Sequence, residues 1–180
     1  RSRGLGDVYK RQHMSKKEKS IELLNKAVND ELLAVHQYMY FHFRCDDMGF
    51  DLVSNLFKRI AIQEMMHVEQ LAERILFLKG EVEMKVAGEV RKLTEVKDML
   101  EQAVKMEMNS VDDYNKWANE CAANADSVSK KLFETLTAEE EVHQDQFETE
   151  LDNLEKFGDH YLALQSIERS KSVATGTPAE

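Results

Sequence analysis

The segment DLVSNLFKRIAIQEMMHVEQLAERILFLKG, residues 51–80, decides how this chain folds. Its apolar residues recur three or four positions apart, which is the spacing of one face of an α-helix. They are Leu52, Leu56, Ile60, Leu71, Ile75 and Leu78. We expect the helix to cover residues 51–79, with Gly80 closing it as a C-terminal cap. The polar residues Glu64 and His67 interrupt the apolar pattern near its middle, which predicts a long core helix with a polar site at mid-height.

Three further segments show the same helical spacing. Residues 18–46 end shortly before Gly49, residues 95–123 follow Thr94 as a predicted N-cap, and residues 127–157 end at Gly158. Asp159 is expected to cap a short fifth helix that reaches about residue 168. Residues 81–94 show only weak periodicity and predict a long loop.

These lengths place the chain in the all-α class, as a four-helix bundle. A helix of nearly 30 residues is ~43 Å long. The loop from Gly80 to Thr94 has 15 residues, and an extended loop of that length spans ~50 Å. It can therefore cross the whole bundle, whereas the two short connections should join antiparallel neighbours. We expect an up-down-down-up order with a long crossover loop and a short fifth helix.

The chain also carries an internal repeat with a displacement of 76 residues. Each half contains a Glu-x-x-His motif, a glutamate 33 residues before it and a tyrosine seven residues after that glutamate. The repeated residues are Glu31, Tyr38, Glu64 and His67 in the first half and Glu107, Tyr114, Glu140 and His143 in the second. One Glu-x-x-His motif alone usually reflects a surface pair. Two motifs that each follow a glutamate by the same 33 residues, with matched tyrosines, indicate a shared site.

This shared site has the composition of a di-metal centre. The four glutamates lie near the middle of their helices, and residues at i and i+3 share a helix face. Four carboxylates and two imidazoles can therefore converge on one point in the core. An unpaired buried charge costs several kcal/mol, and two metal cations would compensate for these groups. Carboxylate and imidazole ligands without thiolate suit iron or manganese.

Composition excludes several other classes of protein. The 180 residues hold 24 Lys and Arg against 34 Asp and Glu, a net charge of −10, which argues against a basic nucleic-acid-binding face. One proline and seven glycines provide too few turns for an all-β fold. The sequence contains no run of about 18 apolar residues, so we predict no membrane-spanning segment. Two cysteines, Cys45 and Cys121, form no disulfide framework, which favours a reduced, cytoplasmic setting.

The two ends are expected to lie outside the folded domain, which we place at residues 14–168. Residues 1–13, RSRGLGDVYKRQH, resemble translated adaptor DNA and are interpreted as a non-native extension before Met14. Residues 169–180 are small and polar without periodicity and are expected to form a disordered tail.

The chain resembles the bacterioferritins, a family within the ferritin-like di-iron superfamily. The matching segments are ELLAVHQY at 31–38, EMMH at 64–67, AERILFLKG at 72–80, Glu107 and EEVH at 140–143. The resemblance extends from about Ser20 to Ile167. It implies a ferroxidase that oxidises Fe²⁺ to Fe³⁺ with dioxygen or peroxide, and that stores the ferric mineral.

The resemblance also implies a role for each site residue. Glu31 and His67 would hold one iron ion of the subunit, and Glu107 and His143 would hold the other. Glu64 and Glu140 would bridge the two ions. Tyr38 corresponds to the family's tyrosine beside the site, where it would bond a ligand carboxylate or donate an electron. Tyr114 would be its counterpart in the second half.

Met65 carries a further implication of the resemblance. A residue directly after Glu64 points away from the core, and in bacterioferritins this position supplies a thioether ligand to haem. Two chains would sandwich one b-type haem or related iron porphyrin between their Met65 sulfurs, giving one haem per two subunits. The family further implies a shell of 24 identical chains and, for iron release, a ferredoxin-type electron donor.

Other functions remain compatible with the ligand pattern. The main alternative is a different di-metal enzyme on the same bundle, such as a rubrerythrin-like peroxidase or a manganese catalase. A metal-free helical scaffold is a second alternative, although six mid-helix polar residues disfavour it. A DNA-binding mini-ferritin is a third, and it is disfavoured because such proteins usually build the site between two subunits.

Overall fold

The computed structural model describes residues 15–176 and shows five helices with no strand in that range. The helices are α1 (Lys16–Asp47), α2 (Asp51–Phe77), α3 (Val96–Ala123), α4 (Ser127–Phe157) and α5 (Asp159–Thr175). The all-α class, the four long helices and the fifth helix are confirmed. Within the described residues, no helix is long and apolar enough to cross a membrane. The expectation for residues 1–13 lies outside the described range.

The helices pair as two antiparallel hairpins, α1 with α2 and α3 with α4. Contacts between the hairpins show that α1 and α3 are also antiparallel, because Glu31 meets Tyr114 while Tyr38 meets Glu107. Helices α2 and α4 run antiparallel as well, because Glu64 contacts His143 and His67 contacts Glu140. These directions give the expected up-down-down-up order.

The crossover loop between α2 and α3 is fastened along α1 by amide side chains. Asn25 donates to the Glu81 carbonyl and accepts from the Glu83 amide, with both distances 2.9 Å. Gln37 makes the same two-way contact with the backbone of Arg91, at 3.0 and 2.7 Å. These bonds satisfy backbone groups that regular secondary structure leaves unpaired. They hold the loop against the bundle over its length.

Three helix ends differ from the sequence predictions. Thr94 is not the N-cap of α3; Glu95 occupies that position and makes no side-chain capping bond. Helix α2 ends at Phe77, and Lys79 rather than Gly80 has the left-handed backbone, with φ 64°. Gly80 is needed for a different reason, because a Cβ there would lie 2.8 Å from the Ile21 side chain.

The fifth helix is longer than predicted and begins without the predicted cap. Gly158, not Asp159, is its N-cap, and no side chain caps it. It continues through residues 169–175, which we assigned to the tail. Arg169 explains the extension, because its guanidinium donates to the Asp46 carbonyl and lies 3.3 Å from the Asp51 carboxylate. Contacts with distant residues therefore stabilise a segment whose own sequence shows no periodicity.

The core consists of two apolar clusters separated by a polar layer. One cluster contains Phe41, Phe57 and Phe147. The other contains Leu24, Trp117 and Phe133. On every long helix the predicted ligands lie between the residues of the two clusters. Cys45 and Cys121 are both free and buried, one in each cluster.

Candidate metal centre

The structure brings the six predicted ligands together at the middle of the bundle. Each long helix contributes a glutamate, and α2 and α4 each add a histidine one turn later. All six side chains are at most 2% exposed; they are Glu31, Glu64, His67, Glu107, Glu140 and His143. The i, i+3 spacing places each histidine beside the glutamate of its own motif.

Three carboxylates surround one nitrogen of His67. Its Nδ1 lies 2.8 Å from Glu64, 3.0 Å from Glu140 and 3.3 Å from Glu31. A ring nitrogen carries at most one hydrogen, so it cannot satisfy all three carboxylates. The three carboxylates around Nδ1 therefore carry more negative charge than the His67 ring can neutralise.

His143 has a matching environment in the other half. Its Nδ1 lies 3.0 Å from Glu64, 3.5 Å from Glu140 and 3.8 Å from Glu107. The two imidazole rings are nearly parallel, with centroids 5.6 Å apart. Glu64 and Glu140 thus face both histidines, whereas Glu31 and Glu107 each face one.

These contacts define two overlapping groups of potential metal ligands. In each group, one ligand atom from every member lies within 4.8 Å of all the others. The first group is Glu31, Glu64, His67 and Glu140, and the second is Glu64, Glu107, Glu140 and His143. Glu64 and Glu140 belong to both groups, which is the arrangement expected of bridging carboxylates.

Burial and mutual charge shift the pKa values of the clustered side chains. Burial, followed by the charges of Glu140 and Glu64, raises the pKa of Glu31 well above its ordinary value. Burial and the charge of Glu64 likewise raise the pKa of Glu107. Burial opposes the charged form of His143, but hydrogen bonds to Glu107, Glu140 and Glu64 raise its pKa to about 12.

The pKa of Glu140 shifts in the opposite direction to those of Glu31 and Glu107. Burial disfavours ionised Glu140, yet hydrogen bonds from Glu107, His143 and His67 lower its pKa. One oxygen each of Glu64, Glu107 and Glu140 is buried without a hydrogen-bond partner. Oxygen and imidazole donors with unsatisfied lone pairs fit divalent or trivalent iron.

Two tyrosines connect the hairpins through the outer ligands. Tyr38 on α1 donates to Glu107 on α3, and Tyr114 on α3 donates to Glu31 on α1. Burial and the neighbouring carboxylates raise the pKa of both phenols, so they remain protonated donors. Each tyrosine therefore orients the outer carboxylate of the opposite half.

Glu139 is a site residue that the sequence analysis missed. Its carboxylate lies 2.7 Å from Nε2 of His67, on the side of the ring that faces away from the other glutamates. It lines a surface pocket of about 400 Å³ together with Gln63, Met66, Gln70, Val142 and the two ligand histidines. The sequence could not reveal Glu139, because its contact joins α4 to α2 and leaves no pattern in the residue spacing along either helix.

Met65 points away from the predicted metal ligands, as expected, and so does the adjacent Met66. Met65 is 52% exposed and Met66 is 47% exposed. Met66 lines the surface pocket beside the histidines, whereas Met65 does not. Both thioethers lie on the outer surface of α2.

Comparison with known proteins finds a matching family model and several similar bacterioferritins. A family model described as "Ferritin-like domain" matches residues 21–157. Bacterioferritin of Desulfovibrio desulfuricans is 36% identical over 170 residues, covering 91% of this chain and 95% of that protein. Bacterioferritin of Brucella melitensis is 37% identical over 147 residues, covering 81% of this chain and 91% of that protein.

A solved structure agrees with these relatives. The X-ray structure of Desulfovibrio desulfuricans bacterioferritin, which describes its diiron site in different catalytic states, matches with a TM-score of 0.82. The two chains are 36% identical, and the match covers 84% of this chain and 88% of the other.

Proposed function

This chain belongs to the ferritin-like domain family, and we propose that it oxidises Fe²⁺ and stores the ferric product as the bacterioferritins do. The observation that carries this proposal is the pair of overlapping ligand groups that share Glu64 and Glu140. A bacterioferritin matched over 95% of its length and a structural neighbour with a diiron site support the same conclusion.

In this proposal each ligand has a defined task. Glu31 and His67 bind one iron ion, Glu107 and His143 bind the second, and Glu64 and Glu140 bridge them. Metals bridged in this way are typically ~3.5–4 Å apart. The carboxylates stabilise the added positive charge when Fe²⁺ becomes Fe³⁺.

The reaction consumes two Fe²⁺ ions as substrates. Each loses one electron, and dioxygen with two protons takes up both electrons to give hydrogen peroxide. With peroxide as oxidant, the same two electrons and two protons give two water molecules. In this reaction Tyr38 holds Glu107 in place through its hydroxyl.

Iron binding and oxidation can be tested on the purified protein. We expect anaerobic titration to show two Fe²⁺ per chain, and exposure to air to produce ferric absorbance. Glu64→Gln should lower the initial oxidation rate at least ~100-fold, because changes outside the ligand shell already cost 10–100-fold in metal sites. Glu69→Gln is the matched control, since that glutamate is exposed on the same helix.

Other results would point elsewhere. Peroxide decomposition without iron uptake would favour a manganese catalase-like enzyme. A wild-type protein that neither binds nor oxidises Fe²⁺ would contradict the proposed function.

We further propose that Met65 binds haem between two copies of the chain. Its thioether is exposed on α2, and a thioether is a soft axial ligand suited to ferrous haem. Two subunits would share one b-type haem or related porphyrin. Such a haem would supply a path for electrons between the stored iron and a ferredoxin-type donor.

The haem proposal has its own control within the motif. Met65→Leu should abolish binding of haem at one per two chains, measured by reduced-minus-oxidised absorption. Met66→Leu, at the neighbouring exposed methionine, should leave it unchanged. Equal haem binding by both variants would exclude Met65 as the ligand.

The proposed assembly is a 24-subunit homo-oligomeric shell in the cytoplasm. The net charge of −10 supports attraction of Fe²⁺ toward the protein surface. Size-exclusion chromatography with light scattering should give a mass near 24 chains. A stable monomer or an isolated dimer would contradict the storage part of the proposal.

A further inference from the structure

Glu139 contacts a predicted metal ligand from outside the ligand groups. Its Oε2 lies 2.7 Å from Nε2 of His67, while Nδ1 of the same ring faces the buried carboxylates. The His67 side chain is 2% exposed, whereas the Glu139 side chain is 46% exposed. A half-exposed carboxylate thus reaches a buried imidazole through the surface pocket.

The internal repeat shows that this contact exists in one half only. The displacement of 76 residues relates His67 to His143 and relates Gln63 to Glu139. Gln63 precedes Glu64 as Glu139 precedes Glu140, and both line the same pocket. In the described part of the chain, no hydrogen bond joins Gln63 to His143.

The chemical consequence concerns the tautomer of each histidine. A carboxylate that accepts Nε2–H fixes the hydrogen on that nitrogen and leaves the Nδ1 lone pair for a metal. It also fixes the ring orientation and raises the basicity of the ligand nitrogen. His67 has such a partner in Glu139, and His143 has an uncharged amide at the related position.

We propose that Glu139 is a positioning residue for His67 and makes the two metal positions unequal. The first divalent ion binds to the group of Glu31 and His67, and the second binds more weakly to the group of Glu107 and His143. This inference rests on the two-metal site of the proposed function. Nothing in the ligand sets themselves distinguishes the two positions, because each has one histidine, one outer glutamate and two shared glutamates.

Anaerobic titration with Co²⁺ tests the proposal without turnover. Visible absorption reports the coordination of Co²⁺, and calorimetry reports its affinity. Wild-type protein should bind two Co²⁺ per chain in two resolved steps. Glu139→Ala should weaken the tighter step by roughly 10- to 100-fold, which brings the two steps together. Glu139→Gln keeps an acceptor oxygen without the charge and should fall between wild type and Glu139→Ala.

A double-mutant cycle assigns the effect to His67. In the His143→Ala background, Glu139→Ala should still weaken the remaining site about 10-fold or more. In the His67→Ala background, it should have no effect on Co²⁺ affinity. Glu141→Ala is the matched control, because that carboxylate is exposed on the same helix.

Two results would overturn the inference while leaving the proposed function in place. One is that the wild-type protein binds two Co²⁺ and that neither Glu139→Ala nor Glu141→Ala changes the Co²⁺ affinity. The other is an effect of Glu139→Ala that persists when His67 is absent. Failure of the wild-type protein to bind any Co²⁺ would overturn the two-metal site and this inference together.

Discussion

The two halves of the bundle, α1 with α2 and α3 with α4, share a backbone design but are stabilised by different side chains. Both hairpins turn in the same way, because the amide of Phe50 donates to the Cys45 carbonyl and the amide of Asp126 donates to the Cys121 carbonyl, each at 2.9 Å. The residue before each donor has a left-handed backbone: Gly49 with φ 79° and Ala125 with φ 59°.

Outside the ligand set, the halves diverge. His42 and Ser54 bond to each other across the first hairpin at 2.9 Å, and α5 packs against its turn. In the second hairpin, Asp126 caps α4 through the Ser129 amide and accepts a 2.7 Å bond from Arg74. The repeated helix geometry therefore positions the candidate metal ligands in both halves, whereas the supporting contacts differ between them.

The largest expected effects, on metal content and oxidation rate, distinguish the glutamates shared by both ligand groups from those that belong to one group. Glu140→Gln removes a ligand from both groups and should leave almost no tightly bound metal. Glu31→Gln and Glu107→Gln each affect one group and should retain about one metal ion per chain. All three should slow Fe²⁺ oxidation by ~100-fold or more, because two ions must react together. Metal content after anaerobic desalting distinguishes the cases; equal loss of both ions in all three variants would contradict the division into groups.

The two tyrosines provide the next comparison. Tyr38→Phe and Tyr114→Phe each remove the hydroxyl that holds an outer glutamate, so each should slow iron oxidation by about 10-fold. Stopped-flow absorbance measures the rate. A much greater loss for Tyr38→Phe would show that Tyr38 also donates electrons, and its radical would be detectable by electron paramagnetic resonance. No loss in either variant would contradict the positioning role.

Asp126 should stabilise the second hairpin in a pH-dependent way. Burial opposes its ionisation, but hydrogen bonds from Ser129 and the contact with Arg74 lower its pKa below the ordinary value. A lowered pKa in the folded state gives stability that is present above the unfolded pKa and is lost as the pH falls through the folded one. Asp126→Ala should therefore cost about 1 kcal/mol at pH 7, with a smaller cost below about pH 4.

Urea unfolding at several pH values measures this difference. Glu95→Ala is a suitable control, because Glu95 is an N-cap residue whose side chain makes no capping bond. A cost that stays constant down to pH 2 would show that the Asp126 charge contributes nothing.

The last comparison concerns the two turns, where the expected changes in stability are about 1 kcal/mol or less. Gly49→Ala should destabilise the protein by about 1 kcal/mol, because Ala is disfavoured at positive φ and its Cβ would lie 3.3 Å from Ser166. Ala125→Gly should stabilise it by ~0.5 kcal/mol, since relief of the same strain is partly offset by added unfolded-state freedom. Chemical denaturation measures both. Changes of the same sign would contradict the equivalence of the turns.

Local periodicity explains most of what could be predicted. The four long helices follow from apolar spacing, and α4 has the predicted bounds of 127–157. The site could be located because Glu31 and Glu107 each precede a Glu-x-x-His motif by 33 residues. This equal separation places the two glutamates at the same height in the bundle as the two motifs. Thr94 and Gly80 were misassigned because capping depends on one or two backbone angles that many nearby residues could adopt.

The sequence by itself determined the helical period, the number of long helices and the six polar residues at their centres, because these depend on spacing along one chain segment. Only the tertiary structure decided that Glu139 reaches His67, that Tyr38 and Tyr114 exchange partners between hairpins, and that Arg169 extends α5. Those contacts join residues far apart in sequence. They depend on how each helix is rotated against its neighbours, and packing of the whole core sets that rotation.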